Sequence, residues 1–150
     1  MNNDQQKILA IARSLIGTPY KYAVPSEEIP KFLDCSSFTQ YAYQQIGIEI
    51  PRSTVLQAAQ AGREINVNPS TSSGQQISDL QIGDLLFFRG NKGHYDDELF
   101  PERKIYIGHV VVYSGNEKAI HGASKEGIEE TYLKEVIKEK GPVIMVKRIL

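Results

Sequence analysis

The chain has 150 residues, 17 Lys and Arg against 18 Asp and Glu, a net charge of −1 and 41% hydrophobic residues. That is one domain of ordinary size, 1–150, able to bury its own core without disulfides or a structural metal. Mixed charge of this kind gives no electrostatic reason to expect nucleic acid as a partner. No apolar run reaches membrane-spanning length, so a membrane is not an expected partner either. The single cysteine cannot form an internal disulfide. The start, Met1-Asn2-Asn3-Asp4-Gln5-Gln6, lacks the basic and apolar stretches of a secretory signal. The expected location is therefore the cytoplasm as written, or the cell wall if the protein leaves by another route or is trimmed.

Ile8, Leu9, Ile11, Ala12, Leu15 and Ile16 recur at helical spacing and predict a first helix stopped at Gly17. Pro19, Pro25 and Pro30 make residues 17–34 a loop. A second helix is predicted from Cys35 to Ile46, with Phe38, Tyr41, Ala42 and Gln45 at helical intervals and Gly47 ending it. A third follows Pro51-Arg52-Ser53, from Thr54 to Ala61, and residues 63–78 read as a loop rich in Asn, Pro, Ser, Thr and Gly. The period then shortens. Strands are predicted at Asp84–Phe88, Tyr106–Tyr113, Lys118–His121 and Val143–Ile149. Thr131–Lys140 reads as a charged surface helix, and the charges from Glu129 onward as its exposed face. Helices followed by an antiparallel meander define an α+β domain, with the sheet packed against the cysteine helix.

Chemistry concentrates at three residues. Cys35 opens the second helix, where free backbone N–H groups and the helix dipole favour a thiolate, and Asp34 before it is a good N-cap. His109 and His121, on strand-patterned segments, can supply a base for the thiol proton and a group that orients the base. The histidines are 12 positions apart. An odd loop, Ser114-Gly115-Asn116, would pair Tyr113 with Glu117 and His109 with His121 on one sheet face. A two-residue turn would set His121 against Val110 and separate the rings.

Six segments together resemble the NlpC family of bacterial cell-wall cysteine peptidases. They are Gly17-Thr18-Pro19-Tyr20, Asp34-Cys35-Ser36-Ser37-Phe38, Ile50-Pro51-Arg52-Ser53-Thr54, Gly83–Phe88, Gly108-His109-Val110 and Ile120-His121-Gly122-Ala123, in the family's order and over nearly the whole chain. The resemblance implies a papain-like fold and hydrolysis of peptidoglycan stem peptides, typically between D-glutamate and diaminopimelate or lysine. It implies Cys35 as nucleophile, with its thiolate poised by a protonated His109 that serves as base and acid. His121 would be the third member, and Tyr20 a neighbour of the nucleophile that helps bind the oxyanion. Asp34 and Ser36 would contact the amino end of the substrate, with Asp34 the stronger candidate, and Arg52 would lie near the cleft. Ser53 reads as a helix cap.

The chain departs from the family pattern in two places. Tyr22-Ala23-Val24 stand where relatives often have two glycines, and Ser37 stands where a glycine is common. The segment 90–104, with His94, Asp96, Asp97 and Glu98, reads as a substrate-proximal loop whose acids are solvated rather than a metal site. No cofactor or metal is expected, and the chain is expected to be a monomer. Two other classes compete with a peptidase acting on peptidoglycan or muropeptides. One is a thiol-dependent acyltransferase or amidase; the other is a non-catalytic binding module of the same fold.

Overall fold

The computed structural model describes residues 1–66, 80–90, 99–101, 103 and 105–150. Residues 94 and 96–98 lie outside the described residues, as does most of the 90–104 segment. Helix α1 (Asn3–Ser14) is capped by Asn2, and it buries Ile8, Leu9 and Ala12. Helix α2 (Cys35–Gln44) starts at a reciprocal cap. The Asp34 carboxylate accepts from the Ser37 N–H, and the Ser37 hydroxyl accepts from the Asp34 N–H, both at 2.8 Å. Ser37 is thus a working part of the helix start. Helix α3 (Thr54–Gln60) is capped by the Ser53 hydroxyl, which accepts from the Leu56 N–H at 3.2 Å.

Among the described residues the sheet has six antiparallel strands in the order β1-β6-β2-β3-β4-β5. They are β1 (Arg63–Ile65), β2 (Leu85–Arg89), β3 (Ile107–Gly115), β4 (Lys118–Ala123), β5 (Gly127–Tyr132) and β6 (Val143–Arg148), with helix α4 (Leu133–Lys140) between the last two. Alternate residues face opposite ways. Leu85, Phe87, Val110, Val112, Ile120 and Met145 pack with the residues of α1, α2 and α3 in one cluster. Leu86, Phe88, Val111 and Val146 pack with Leu133 and Val136 of α4 in another. Phe38 has no exposed surface and ties α2 into the first cluster. Truncating a buried Phe to Ala costs roughly 3–5 kcal/mol, so this contact is a principal anchor of the cysteine helix.

The α+β class and the order of elements are as the sequence predicts, with two strands added. The sequence places Arg63–Ile65 in a loop, but it forms an edge strand, with Glu64 opposite Lys147 and Ile65 opposite Val146 on β6. Three residues with two charges carry no alternating apolar signal; the free edge of β6 makes the strand. The charges from Glu129 onward read as a helix face, yet Gly127–Tyr132 pairs with the whole of β4. Its acids hide the strand, and tertiary partners account for them. Glu130 binds Arg13 of α1 through two hydrogen bonds, at 3.1 and 3.2 Å, while Glu129 lies opposite His121.

The β3–β4 hairpin also differs from expectation. Its turn is the two residues Asn116-Glu117, both at positive φ, with Gly115 opposite Lys118. Tyr113 therefore pairs with Ala119, not Glu117. The step from Tyr113 to Gly115 passes Ser114 as an extra residue, a β-bulge. That extra residue restores the parity a two-residue turn would have broken. Val112 opposes Ile120, so His109, three steps back, and His121, one step on, share the other face without being direct partners.

Candidate active site

A cleft of about 1000 Å³ brings Tyr20, Asp34, Cys35, Arg52, His109 and His121 together. Each is delivered by a different local device. The cap at Asp34 sets Cys35 at the first position of α2 and leaves the Cys35 N–H outside the capping box. The thiol is half-buried, and its Sγ lies 3.4 Å from the Thr54 hydroxyl at the first position of α3. The backbones of Val110, the residue after His109, and of Ser36 also favour the thiolate. His109 follows Gly108, whose neighbour across the strands is Gly90. A Cβ on Gly108 would meet the Gly90 Cα at 2.2 Å, so only glycine lets β2 and β3 close this tightly at the cleft.

The two imidazoles meet edge to face, with His109 Nε2 2.9 Å from His121 Nδ1. His121 Nε2 in turn lies 3.2 Å from the Glu129 carboxylate. The bond to His121 occupies Nε2 of His109, so Nδ1 is the ring nitrogen left for chemistry. Tyr20 is positioned by Gly122, the residue after His121. A Cβ there would press on the Tyr20 ring at 3.1 Å, so the glycine lets the ring lie against β4. Burial, then the neighbouring Cys35 and Asp34, push the Tyr20 phenol up, so it remains a proton donor.

Burial works against the sequence expectation of a thiolate facing a protonated imidazole. Burial pushes the Cys35 thiol up, against hydrogen bonds from Thr54 and Val110 that favour the thiolate. Burial, then His121 and Lys140, push His109 down to about 3. His121 is also lowered, chiefly by burial, with Glu129 acting in the opposite sense. Burial thus disfavours the charged form of each group, while the hydrogen bonds to sulfur favour the thiolate.

Asp34 is more heavily engaged than its sequence context suggests. Its Oδ1 accepts from the Ser37 N–H at 2.8 Å and Arg52 Nη1 at 3.2 Å; its Oδ2 accepts from the Val24 N–H at 3.2 Å and Arg52 Nη2 at 2.8 Å. Arg52 also donates to the Ser36 hydroxyl at 2.9 Å and the Val24 carbonyl at 3.0 Å. Burial would raise the Asp34 carboxyl, but the bonds from Arg52 and Ser37 hold it below the usual range. Asp34, Ser36 and Arg52 are thus one bonded unit on the cleft wall. Ala23 beside it takes positive φ (53°), and Tyr22 is 84% exposed at the cleft mouth.

The sequence alone does not point to Thr54 or Glu129 as parts of this site. Thr54 reads as the first helical residue after a Ser cap, and only the crossing of α3 over α2 brings its hydroxyl to the thiol. Glu129 becomes legible once Ser124-Lys125-Glu126 is read as a turn, because β4–β5 pairing then sets Glu129 opposite His121.

A thiol at a helix N-terminus, sharing a cleft with an imidazole that a second polar ring holds, on helices packed against an antiparallel sheet, is the papain-like arrangement. Within that class the chain belongs to the NlpC/P60 family, which residues 17–146 match. It is 34% identical over 118 residues to a probable endopeptidase of Corynebacterium glutamicum, covering 77% of this chain and 42% of that protein. It is 31% identical over 100 residues to Escherichia coli murein DD-endopeptidase MepS/murein LD-carboxypeptidase, covering 65% of this chain and 40% of that protein. The chain spans well under half the length of these two curated relatives. Among solved structures it is similar to the NlpC/p60 domain of the peptidoglycan hydrolase SagA, with a TM-score of 0.65 at 27% identity over 99% of both chains.

Proposed function

We propose that this chain is a cysteine endopeptidase that hydrolyses the peptide part of peptidoglycan through a thioester intermediate. The observation that carries the reading is the Cys35 thiol at the start of α2 in a cleft shared with His109, whose Nε2 is held by His121 at 2.9 Å. His109 Nδ1 takes the thiol proton as Cys35 Sγ attacks the scissile carbonyl. The oxyanion that forms is met by the Cys35 N–H and the Tyr20 hydroxyl; one such donor is worth roughly 2.7–4 kcal/mol of barrier. His109 then returns the proton to the departing amine, and water hydrolyses the thioester by the same route. The names of the similar murein endopeptidase and peptidoglycan hydrolase support the substrate class.

The bond we assign is that between D-glutamate and diaminopimelate or lysine, with the Asp34–Ser36–Arg52 unit receiving the amino end of the stem. The five hydrogen bonds to the Asp34 carboxylate, from Val24, Ser36, Ser37 and twice from Arg52, mean that an incoming ammonium must take over the place of an Arg52 nitrogen. The Arg52 side chain is 38% exposed and has room to swing. Digestion of purified peptidoglycan, followed by mass spectrometry of the muropeptides, tests both parts. Cys35→Ala should release no product while keeping the wild-type unfolding temperature. Near-normal turnover by that variant would sink the reading, and products cut at another bond would remove the assigned specificity.

A further inference from the structure

We propose that Glu129 is a positioning residue that decides which ring nitrogen of His109 carries the proton, and hence which is free to accept the proton of Cys35. The inference rests on the reading of Cys35 and His109 as nucleophile and base. Two neutral imidazoles joined by one hydrogen bond have two arrangements of similar energy. In the first, His109 Nε2–H donates to His121 Nδ1, and His109 Nδ1 is a bare lone pair. In the second, His121 Nδ1–H donates to His109 Nε2, and the proton of His109 sits on Nδ1, where it disables the base. Nothing within the pair itself chooses between them.

The carboxylate does. It has acceptors only, and its Oε2 lies 3.2 Å from His121 Nε2. The proton of His121 is therefore drawn to Nε2, Nδ1 of that ring becomes an acceptor, and His109 must donate from Nε2 across the 2.9 Å contact. The chain of donation runs His109 to His121 to Glu129 and leaves His109 Nδ1 open. Sheet register puts the carboxylate within reach, since Glu129 is the direct cross-strand partner of His121. The side chain is only 34% exposed, whereas His121 is 4% exposed, so the contact lies at the boundary of the cleft and not in open solvent. The other charges acting on the rings belong to α4. Lys140 disfavours a proton on either ring, whereas Glu139 favours one on His121. Neither can select a tautomer, since among the described contacts only Glu129 is bonded to a ring nitrogen of His121 on the side away from His109.

Nitrogen NMR of the histidine-labelled protein at neutral pH tests the inference without substrate. In the wild type both rings should carry the proton on Nε2. In Glu129→Gln, whose amide can donate as well as accept, His109 should show a mixed population, and Glu129→Ala should do the same. Both variants should lose kcat in proportion to the disabled population, roughly twofold for an even mixture, with little change in KM. A wild-type His109 protonated on Nδ1, or tautomers unaltered in both variants, would overturn the proposal. Because the tautomers are read in the resting protein, a failure here is separable from a failure of the peptidase reading, which the Cys35→Ala digest decides.

Discussion

The hydroxyl of Thr54 lies 3.4 Å from the sulfur of Cys35, and it joins the starts of two helices that are 19 positions apart in the chain. Burial raises the thiol, and this hydroxyl is foremost among the groups that oppose the rise. As charge develops on sulfur, Thr54 can donate to it. A hydrogen bond to a charged group contributes about 1.5–3 kcal/mol. Thr54→Val should therefore slow iodoacetamide alkylation of Cys35 at neutral pH by roughly tenfold or more, and shift its pH profile to higher pH. Thr54→Ser should stay near wild type. Equal alkylation rates for the valine variant and the wild type would show that the contact does not support the thiolate.

The His109–His121 contact predicts a graded series. An amide at position 121 can still accept one hydrogen bond from His109 Nε2. His121→Asn and His121→Gln should thus reduce kcat less than His109→Ala, and His121→Ala should fall below both amides because the ring of His109 is left to rotate. Steady-state kinetics on a muropeptide give the order directly. Indistinguishable rates across all three His121 variants and the wild type would remove the orienting role.

Acid stability follows from His109. Its folded value, about 3, lies well below the ordinary 6.5, so the unfolded chain binds a proton through a range in which the folded protein does not. Stability conferred by the neutral ring is present above about 6.5 and is lost progressively as pH falls toward 3. Asp34 adds a separate decline. Its folded value is depressed, so its contribution is present above the unfolded value of 3.8 and is lost as pH falls through the folded value. Thermal unfolding between pH 7 and 4 should show a falling Tm, and His109→Gln should flatten that slope. An unchanged slope in the variant would place the titration elsewhere.

Removing one partner of the Arg52–Asp34 pair leaves a buried carboxylate short of two donors. Arg52→Met keeps most of the aliphatic stem and deletes both bonds, so it isolates that loss. Because Arg52 is 38% exposed, water can replace part of what is removed, and the expected cost is about 1–3 kcal/mol. Urea unfolding checks the figure. Comparing kcat/KM on a tetrapeptide with its amino end free and acetylated checks the subsite. A wild type that treats the two alike does not read the amine through this unit.

Much of the site is legible one residue at a time. Asp34-Cys35 announces a capped thiol because capping is local chemistry, carried by a carboxylate and the N–H three residues on. The glycines at 17, 47 and 62 mark the ends of the first three helices because positive φ is a property of single residues. The apolar runs of β2, β3, β4 and β6 show themselves because each is buried along most of its length. For the face shared by His109 and His121, the sequence yields the right parity but the wrong hairpin. Two-residue turns with a bulge and three-residue loops have the same number of unpaired residues, and no local signal separates them.

What only the tertiary structure decided are the relations between segments. Arg63–Ile65 is a strand because the edge of β6 accepts it, and Gly127–Tyr132 is one because Arg13 and His121 give its acids partners. Thr54 meets the thiol because α3 packs across α2. The charge state of the pair is likewise collective. A helix N-terminus favours a thiolate, yet burial of Cys35 and of His109 works against charge on either group. Sequence specifies the groups that can react. Desolvation and register, which arise only when distant segments close over one another, decide how those groups face one another and which way their pKa values move.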